Sequence, residues 1–175
     1  MFHTRADVER RLNELGDRLG LRGVHATIGV VGGAAMLLAH PSERAATHDI
    51  DSPRIDPHGT VLDVVREMAA ELGLPSTWLN DQAAMYAPRQ PEWIAVHSFD
   101  HPHLRVMVLT ARQMLAMKVL SGRPRDVDDI VTLLGATGLT TEEAAIAAVN
   151  EVFPDDELGP RQLDVLAEAV ARLVC

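Results

Sequence analysis

The sequence of 175 residues contains one cysteine, few aromatic residues and no long apolar run. Cys175 alone excludes an internal disulfide framework and a multi-cysteine metal site. Aromatic residues make up 3% of the chain, so the core has to be built from aliphatic side chains and methionine. No apolar stretch approaches the roughly 20 residues that cross a bilayer, and the first residues lack the apolar segment of a signal peptide. We therefore expect a globular cytoplasmic protein with no membrane partner.

Positive charge is also scarce, because the formal net charge is −9. Proteins that coat nucleic acid are normally basic, so the total argues against that class. Four arginines nevertheless lie close together in the first segment: Arg10, Arg11, Arg18 and Arg22. Mixed charges of this kind are typical of a solvated helix face. A basic stripe could also dock an RNA, so both interpretations stay open.

The hydrophobic pattern predicts a small sheet followed by helices. Helical spacing of apolar residues predicts helices at about 6–20, 34–39, 60–73, from Thr110 onward, 125–135, 140–152 and 161–174. Runs rich in β-branched residues, or alternating runs, predict strands at 24–31, 47–51 (ended by Pro53), 93–98 and 104–109. The last two suggest an antiparallel hairpin, and 75–91 is expected to be irregular. The fold class is α+β: a short mixed β-sheet flanked by helices, with a helical C-terminal part.

Asp49 and Asp51 give the clearest chemical signal. Residues two apart on a strand project from the same face, so both carboxylates would point together while Ile50 enters the core. Two like charges this close need a cation or a shared proton, and Mg²⁺ prefers a few carboxylates completed by water and phosphate oxygens. An isolated Asp-x-Asp pair is more commonly part of a solvated turn.

Gly32 and Gly33 follow the first predicted strand and precede a short helix. Glycine permits positive φ and close approach of the backbone to a ligand, and the N–H groups at a helix start bind phosphate. An ordinary tight turn would use the same residues. Followed by a strand that bears Asp49 and Asp51, however, the arrangement predicts a combined phosphate and metal site.

Lys118 is the only charged residue in the segment 114–120. A helix this apolar should be largely buried, and a buried ammonium needs an anionic partner. A triphosphate or the carboxylates of the metal site would supply one, whereas a snorkelling lysine would reach solvent. Arg125 and Asp126 then lie at a loop-to-helix junction, and Asp126 shares a helical face with Asp129.

Together these motifs resemble those of bacterial minimal nucleotidyltransferases, in the group that contains the AbiE and MenT toxins and uncharacterised relatives. The matching segments are 32–33, 47–51, 78–81, 115–118 and 125–130. The resemblance implies that Asp49 and Asp51 bind Mg²⁺ or Mn²⁺ and that Lys118 and Asp126 complete the catalytic set. It also implies a nucleotide-binding set formed by Gly32, Gly33, Lys118 and Arg125.

The resemblance further implies a reaction and a domain organisation. Members of the group transfer a nucleotide from an NTP to an acceptor, which in the toxins is tRNA. The expected partners are thus an NTP, an acceptor that is tRNA or protein, and an antitoxin. Residues 1–135 would form the nucleotidyltransferase-like domain with its N-terminal helix, and residues 136–175 a helical extension packed on it.

Two alternatives stay open. Many polymerase-like nucleotidyltransferases carry a third carboxylate on a later strand, and segment 104–109 has none, with Arg105 near the expected place. A catalytically inactive nucleotidyltransferase-like module that binds a nucleotide or a partner would explain this departure, and so would a substitute role for Asp81 or Asp126. The other alternative is a histidine-ligated hydrolase with zinc at His101 and His103.

Overall fold

The computed structural model describes residues 2–40 and 47–173, and within these ranges the chain forms two compact units. The first unit comprises the described residues up to 85 together with 93–108, and the second comprises 86–92 and 109–173. The fold class is α+β, as predicted, with a five-stranded mixed sheet flanked by helices and a helical C-terminal region.

The first unit combines helices with the sheet. Its helices are α1 (Arg5–Leu21), α2 (Gly32–Ala39) and α3 (His58–Leu72). Its strands are β1 (Ala26–Val31), β2 (Ile50–Asp56), β3 (Leu79–Asn80), β4 (Trp93–Ala95) and β5 (Leu104–Leu109). The strand order is β3-β2-β1-β5-β4. β1 is antiparallel to β2 and parallel to β5, and β2 is parallel to β3.

Local capping and one apolar stripe explain α1. Thr4 Oγ1 accepts a hydrogen bond from the Asp7 amide at 3.2 Å, and Asp7 Oδ2 accepts one from the Thr4 amide at 3.1 Å, which is a reciprocal capping box. α1 contacts α2 and α3, and these two helices contact β2. The stripe that α1 buries follows helical spacing: Val8, Leu12, Leu15 and Leu19.

The predicted bounds of the second strand, 47–51 with an end at Pro53, are wrong. β2 begins at Ile50 and continues through Pro53 to Asp56. A bulge interrupts its pairing with β1 between Gly29 and Val31. Proline lacks the N–H that a regular ladder needs, but a bulge leaves a residue unpaired and so accommodates it.

Shorter elements also differ from their predicted extents. The segment 75–91, expected to be irregular, contains β3 and a 3-10 helix at Gln82–Tyr86. The predicted strand 93–98 is reduced to the three residues of β4, which lies beside β5 in the sheet. A strand of two or three residues is too short to show a period-two pattern, so sequence alone could not define these bounds.

The second unit is built from helices. They are α4 (Ala111–Ser121), α5 (Val127–Thr137), α6 (Glu142–Val152) and α7 (Pro160–Leu173), with a 3-10 helix at Pro124–Asp126. α4 contacts α5, α6 and α7. Thr110 caps α4, the helix predicted from Thr110 onward, and the side chain of Gln113 bonds the backbone of Glu92 and Gln90. The N-cap of α6 is Thr141, one residue after the predicted helix start at 140.

The compact units divide at residue 109, whereas the sequence pattern placed a domain boundary after residue 135. Compactness does not show that a unit folds independently, so the division into domains 1–135 and 136–175 stays a prediction. Among the described residues, every helix is too short or too polar to cross a membrane.

Candidate functional site

Gly32 and Asp51 meet where β1 passes into α2. Val31, the last residue of β1, lies opposite Asp51 in the antiparallel register. Gly32 follows with a φ of +66°, a conformation that L side chains rarely adopt. Asp51 Oδ2 lies 3.1 Å from the position that a Cβ on Gly32 would occupy. Glycine is therefore required here for the backbone angle and for the approach of the carboxylate.

The start of α2 offers backbone donors beside this carboxylate. The first N–H groups of a helix have no partner within the helix, and Val31 at the N-cap position supplies no side-chain acceptor. Gly33 is the second residue of α2 and is half-buried. The turn therefore combines a carboxylate with the kind of N–H groups that bind phosphate oxygens.

Asp49 is positioned by neighbours on both sides of it. Thr47 exchanges two backbone hydrogen bonds with Phe2, at 2.7 and 2.9 Å. On the other side, the amide of Ile50 donates to the carbonyl of Trp78 at 2.8 Å, and β3 continues this pairing. The sequence drew attention to segment 78–81 without assigning it this position. The contact of Phe2 was missed, because a single bridge pair leaves no pattern in the sequence.

The donor set around Asp49 and Asp51 is small. Both residues are half-buried, so solvent can reach them. Within residues 2–40 and 47–173 no group of three or more His, Cys, Asp or Glu side chains is arranged to hold a metal ion. Two carboxylates leave most of a six-coordinate shell to other oxygens. Such a set suits a cation that arrives with phosphate and water ligands.

Lys118, the only lysine in the sequence, forms a buried ion cluster in the second unit. Its Nζ lies 2.8 Å from Asp126 Oδ1 and 2.7 Å from Asp129 Oδ2. The side chains of the three residues are 9%, 4% and 1% exposed, respectively. Ser121 Oγ donates to the second oxygen of Asp126 at 3.3 Å. The lysine is thus not a snorkelling side chain, and its buried charge is compensated by carboxylates.

The second carboxylate of this cluster was missed as a site residue. Asp129 follows Asp126 by three residues, which is the spacing that places two side chains on one helical face. This spacing was recognised in the sequence, and combined with burial it would have identified Asp129. Arg125, in contrast, is exposed. The structure therefore groups the predicted residues in two places, Gly32 with Asp51 in the first unit and Lys118 with Asp126 in the second.

The arginine stripe of α1 is neutralised by carboxylates. Arg10 pairs with Asp7, and Arg11 pairs with Glu14. A hydrogen bond to Glu71 is the main cause that raises the pKa of Arg18 above its ordinary value. Arg22 pairs with Glu67. The solvated-face interpretation is the one that these contacts support.

His101 uses both ring nitrogens in other contacts. Its Nε2 lies 3.2 Å from Asp17 Oδ1, and its Nδ1 accepts a hydrogen bond from the His103 amide at 3.1 Å. The ring also lies directly against Gly16 of α1. Because both nitrogens are engaged, a zinc site at His101 and His103 has no support in the part of the chain that the structure describes.

The strand register shows which residues of β5 lie at the same end of the sheet as Asp51. Val30 pairs with Val108 and Thr27 with Arg105. Thr27, the partner of Arg105, precedes Val31, the partner of Asp51, by four residues. Arg105 therefore lies about 13 Å from Asp51 along the strand direction. The buried Leu109 comes next after Val108. β5 therefore supplies no carboxylate near Asp51.

Asp81, one of the residues considered as a substitute carboxylate, directly follows Asn80, the β3 partner of Asp51. Its Oδ2 lies 2.8 Å from His58 Nε2. The hydrogen bond from His58 is the main cause that lowers the pKa of Asp81 below its ordinary value. Asp81 therefore stays ionised to lower pH than a free aspartate.

A mixed sheet flanked by helices, in which a strand, a glycine turn and a helix precede Asp49 and the strand that carries Asp51, is consistent with a nucleotidyltransferase-like fold. The chain belongs to the family described as "Nucleotidyltransferase of unknown function (DUF6036)", whose model matches residues 10–137. No curated protein and no solved structure matches the chain. The family match covers most of α1, the whole sheet, α4 and α5, and thus all the residues predicted for the site.

Proposed function

We propose that this nucleotidyltransferase-family protein is a Mg²⁺-dependent enzyme that transfers a nucleotide from an NTP to an acceptor hydroxyl. The observation that carries the proposal is the contact of Asp51 with the Gly32 turn, which combines a carboxylate with helix N–H groups. The first turn of α2 would bind phosphate oxygens of the NTP, and Asp49 and Asp51 would hold the metal. Mn²⁺ could replace Mg²⁺, because both take oxygen ligands.

In the proposed reaction the acceptor oxygen bonds to the α-phosphorus and the bond between the α-phosphorus and the bridging oxygen breaks. Pyrophosphate leaves and the hydroxyl proton is released to solvent. When bound, the metal would neutralise phosphate charge. The chain's own contribution would be to fix the phosphates at Gly32 and Gly33 and to present Asp51 on β2 with Asp49 just before the strand begins.

The proposal also includes roles in nucleotide binding or catalysis for Lys118, Arg125 and Asp126, and these roles have less direct support. The contacts of Lys118 to Asp126 and Asp129 satisfy its charge without a nucleotide. To contact the triphosphate, Lys118 would therefore have to leave one of these carboxylates, or bind a phosphate and the carboxylates at the same time. The exposed Arg125 is a phosphate ligand in the same proposal.

The resemblance to the AbiE and MenT toxins supports a finer proposal. The acceptor would be tRNA, with a protein acceptor as the alternative. The chain would be the toxin of a cytoplasmic toxin–antitoxin pair. The ion-paired arginines of α1 argue against that helix as the RNA surface.

A second candidate function is a catalytically inactive module that binds a nucleotide or a partner. The observation that favours it is β5, which places no carboxylate near Asp51. Asp81, one of the two substitutes considered, follows the β3 partner of Asp51, but its carboxylate contacts His58. The two candidates differ in one property, since only the enzyme forms product.

The experiment is calorimetric titration of each NTP with and without Mg²⁺, followed by an assay with α-labelled NTP and total tRNA. We expect Mg²⁺-dependent NTP binding that Asp49→Asn and Asp51→Asn abolish. Asp63→Asn is the matched control, because it makes the same change at an exposed aspartate of α3. Binding without label transfer would favour the inactive module. NTP binding that survives both substitutions would contradict the metal assignment.

A further inference from the structure

The sheet presents Asp51 on a face that also bears two arginines. Val31, Gly29 and Thr27 alternate along β1 and therefore share one face. Across β2 the register pairs Val31 with Asp51 and Gly29 with Arg54. The bulge in β2 explains why residues 51 and 54, three apart, lie on the same face. Across β5, Thr27 pairs with Arg105. Asp51, Arg54 and Arg105 thus share a face with the exposed Asp56, which pairs with Thr27 from β2.

Trp93 lies across the middle of this face. A Cβ placed on Gly29 would lie 2.6 to 2.9 Å from three atoms of the Trp93 benzo ring. Because β5 lies between β4 and β1, the indole crosses over β5 to reach Gly29. A glycine within a strand commonly marks such a close approach. Trp93 stays half-exposed, whereas Trp78, the only other tryptophan, is 1% exposed.

The two arginines on this face are available to a ligand. Arg54 and Arg105 are exposed, and no carboxylate within the described residues forms an ion pair with either. The arginines of α1 differ, since carboxylates neutralise them. The net charge of the chain is −9, and these two guanidinium groups, which have no ion pair among the described residues, lie beside the half-exposed indole of Trp93.

We propose that Trp93, Arg54 and Arg105 form a nucleobase-binding surface, in which the base stacks on the indole and the arginines contact phosphates. The inference rests on the proposed function, because that function supplies a nucleotide as ligand. An aromatic ring flanked by basic side chains is the combination that binds single-stranded nucleic acid without sequence preference. The base comes from the NTP or from the single-stranded end of an acceptor, and these sources share the same chemistry.

The test separates stacking from simple packing. Binding of each NTP is measured by calorimetry in the presence of Mg²⁺, and binding of a labelled adenosine hexanucleotide is measured by anisotropy without it. Trp93→Leu keeps apolar contact with Gly29 but removes the aromatic face, and Trp93→Phe keeps a smaller one. We expect Trp93→Leu to weaken one probe about 10- to 100-fold, and Trp93→Phe to weaken it several times less. Equal losses in both variants, or no loss in either, would overturn the proposal.

The arginines are tested by salt dependence. For single strands, each phosphate contact contributes about 0.7 to the slope of log K against log salt concentration. Arg54→Gln and Arg105→Gln should each reduce that slope by about this amount for the hexanucleotide. Arg66→Gln on α3 is the matched control, because Arg66 is exposed and pairs with Asp63. Unchanged slopes in Arg54→Gln and Arg105→Gln would overturn the phosphate contacts.

The two probes and an Asp49→Asn background distinguish the possible failures. If only NTP binding depends on Trp93, the surface holds the base of the donor NTP. If only hexanucleotide binding depends on Trp93, the surface holds a base of the acceptor. Binding through Trp93 in a wild-type protein that has no transferase activity, with NTP binding that Asp49→Asn leaves unchanged, would refute the proposed function and retain this inference. Transferase activity with unchanged KM values for NTP and tRNA in Trp93→Leu would refute the inference alone.

Discussion

The carboxylate of Asp51 lies closer than ordinary van der Waals contact to the Cβ position that Gly32 leaves empty, with Oδ2 3.1 Å from that position. Gly32 also has a φ of +66°. Two independent requirements, one of backbone conformation and one of space, thus apply to the same residue. The two requirements can be tested separately, because other glycines of the chain have a similar positive φ with no atom near their Cβ position.

Gly32→Ala should therefore lose stability and function for different reasons. The left-handed conformation costs a non-glycine residue about 1–2 kcal/mol, and the new methyl group should displace Asp51 by a few tenths of an ångström. We expect a lower free energy of unfolding and at least about a 10-fold loss of Mg²⁺-dependent NTP affinity, which corresponds to 1.4 kcal/mol. Urea unfolding and calorimetry measure the two effects.

Gly23→Ala is the matched control for this substitution. Gly23 also has a φ of +66°, but nothing lies within 4 Å of its Cβ position. It should show a similar loss of stability with unchanged NTP affinity. Equal losses of affinity in the two variants would mean that strain, and not the contact with Asp51, accounts for the effect at Gly32.

The ion cluster of the second unit predicts a large effect on stability. Removing one member of a buried ion pair leaves uncompensated charge and typically costs about 3–5 kcal/mol. Lys118→Met would leave Asp126 and Asp129 facing each other, so we expect a loss of this size in the free energy of unfolding. Arg112→Met, also on α4, removes an exposed ion pair with Glu151 and should cost at most about 1 kcal/mol. Comparable losses in the two variants would argue against a structural role of the cluster.

A conservative substitution separates structure from nucleotide binding at the same position. Lys118→Arg retains the charge that Asp126 and Asp129 require, although a guanidinium has a different shape. If Lys118 contacts the triphosphate, a folded Lys118→Arg protein should bind NTP more weakly than the wild type in the calorimetric titration. Unchanged NTP affinity in this folded variant would limit Lys118 to its structural contacts.

Local sequence patterns predicted the fold class and the positions of the helices, because apolar spacing and, in several helices, a capping side chain are local features. Thr4 and Thr110, for example, lie at observed N-caps. The extent of β2 could not be predicted, since it depends on a bulge opposite β1. Contacts between distant residues were equally hidden. Neither the Phe2 bridge to Thr47 nor the indole of Trp93 over Gly29 leaves a periodic signal.

The candidate site shows the same limit. The sequence marked Asp49, Asp51 and the two glycines, because their types and order carry chemical meaning. It also marked Lys118 and Asp126, whose mutual contact of 2.8 Å was not foreseen. A charged residue in an apolar helix indicates that a partner exists. Only the packing of α4 against α5 identifies the partners as Asp126 and Asp129.

The last prediction concerns Asp81 and the acid range. The hydrogen bond from His58 holds the pKa of Asp81 below its ordinary value of 3.8. A carboxyl group with a lowered pKa in the folded state stabilises the protein above its unfolded pKa, and this contribution is lost as the pH falls through the folded pKa. Because both side chains are about half exposed, solvent screening keeps the contribution below about 1 kcal/mol.

Carbon-detected NMR titration of the Asp81 carboxyl measures this directly. We expect a midpoint below 3.8 in the wild type, and a return toward 3.8 in His58→Ala, where the donor is missing. The stability of His58→Ala should equal that of the wild type at the acid end, where Asp81 is protonated in both proteins, and should be slightly lower at higher pH. A wild-type midpoint that His58→Ala leaves unchanged would mean that His58 is not the cause. Asp81 would then be free to serve as the substitute carboxylate beside β2.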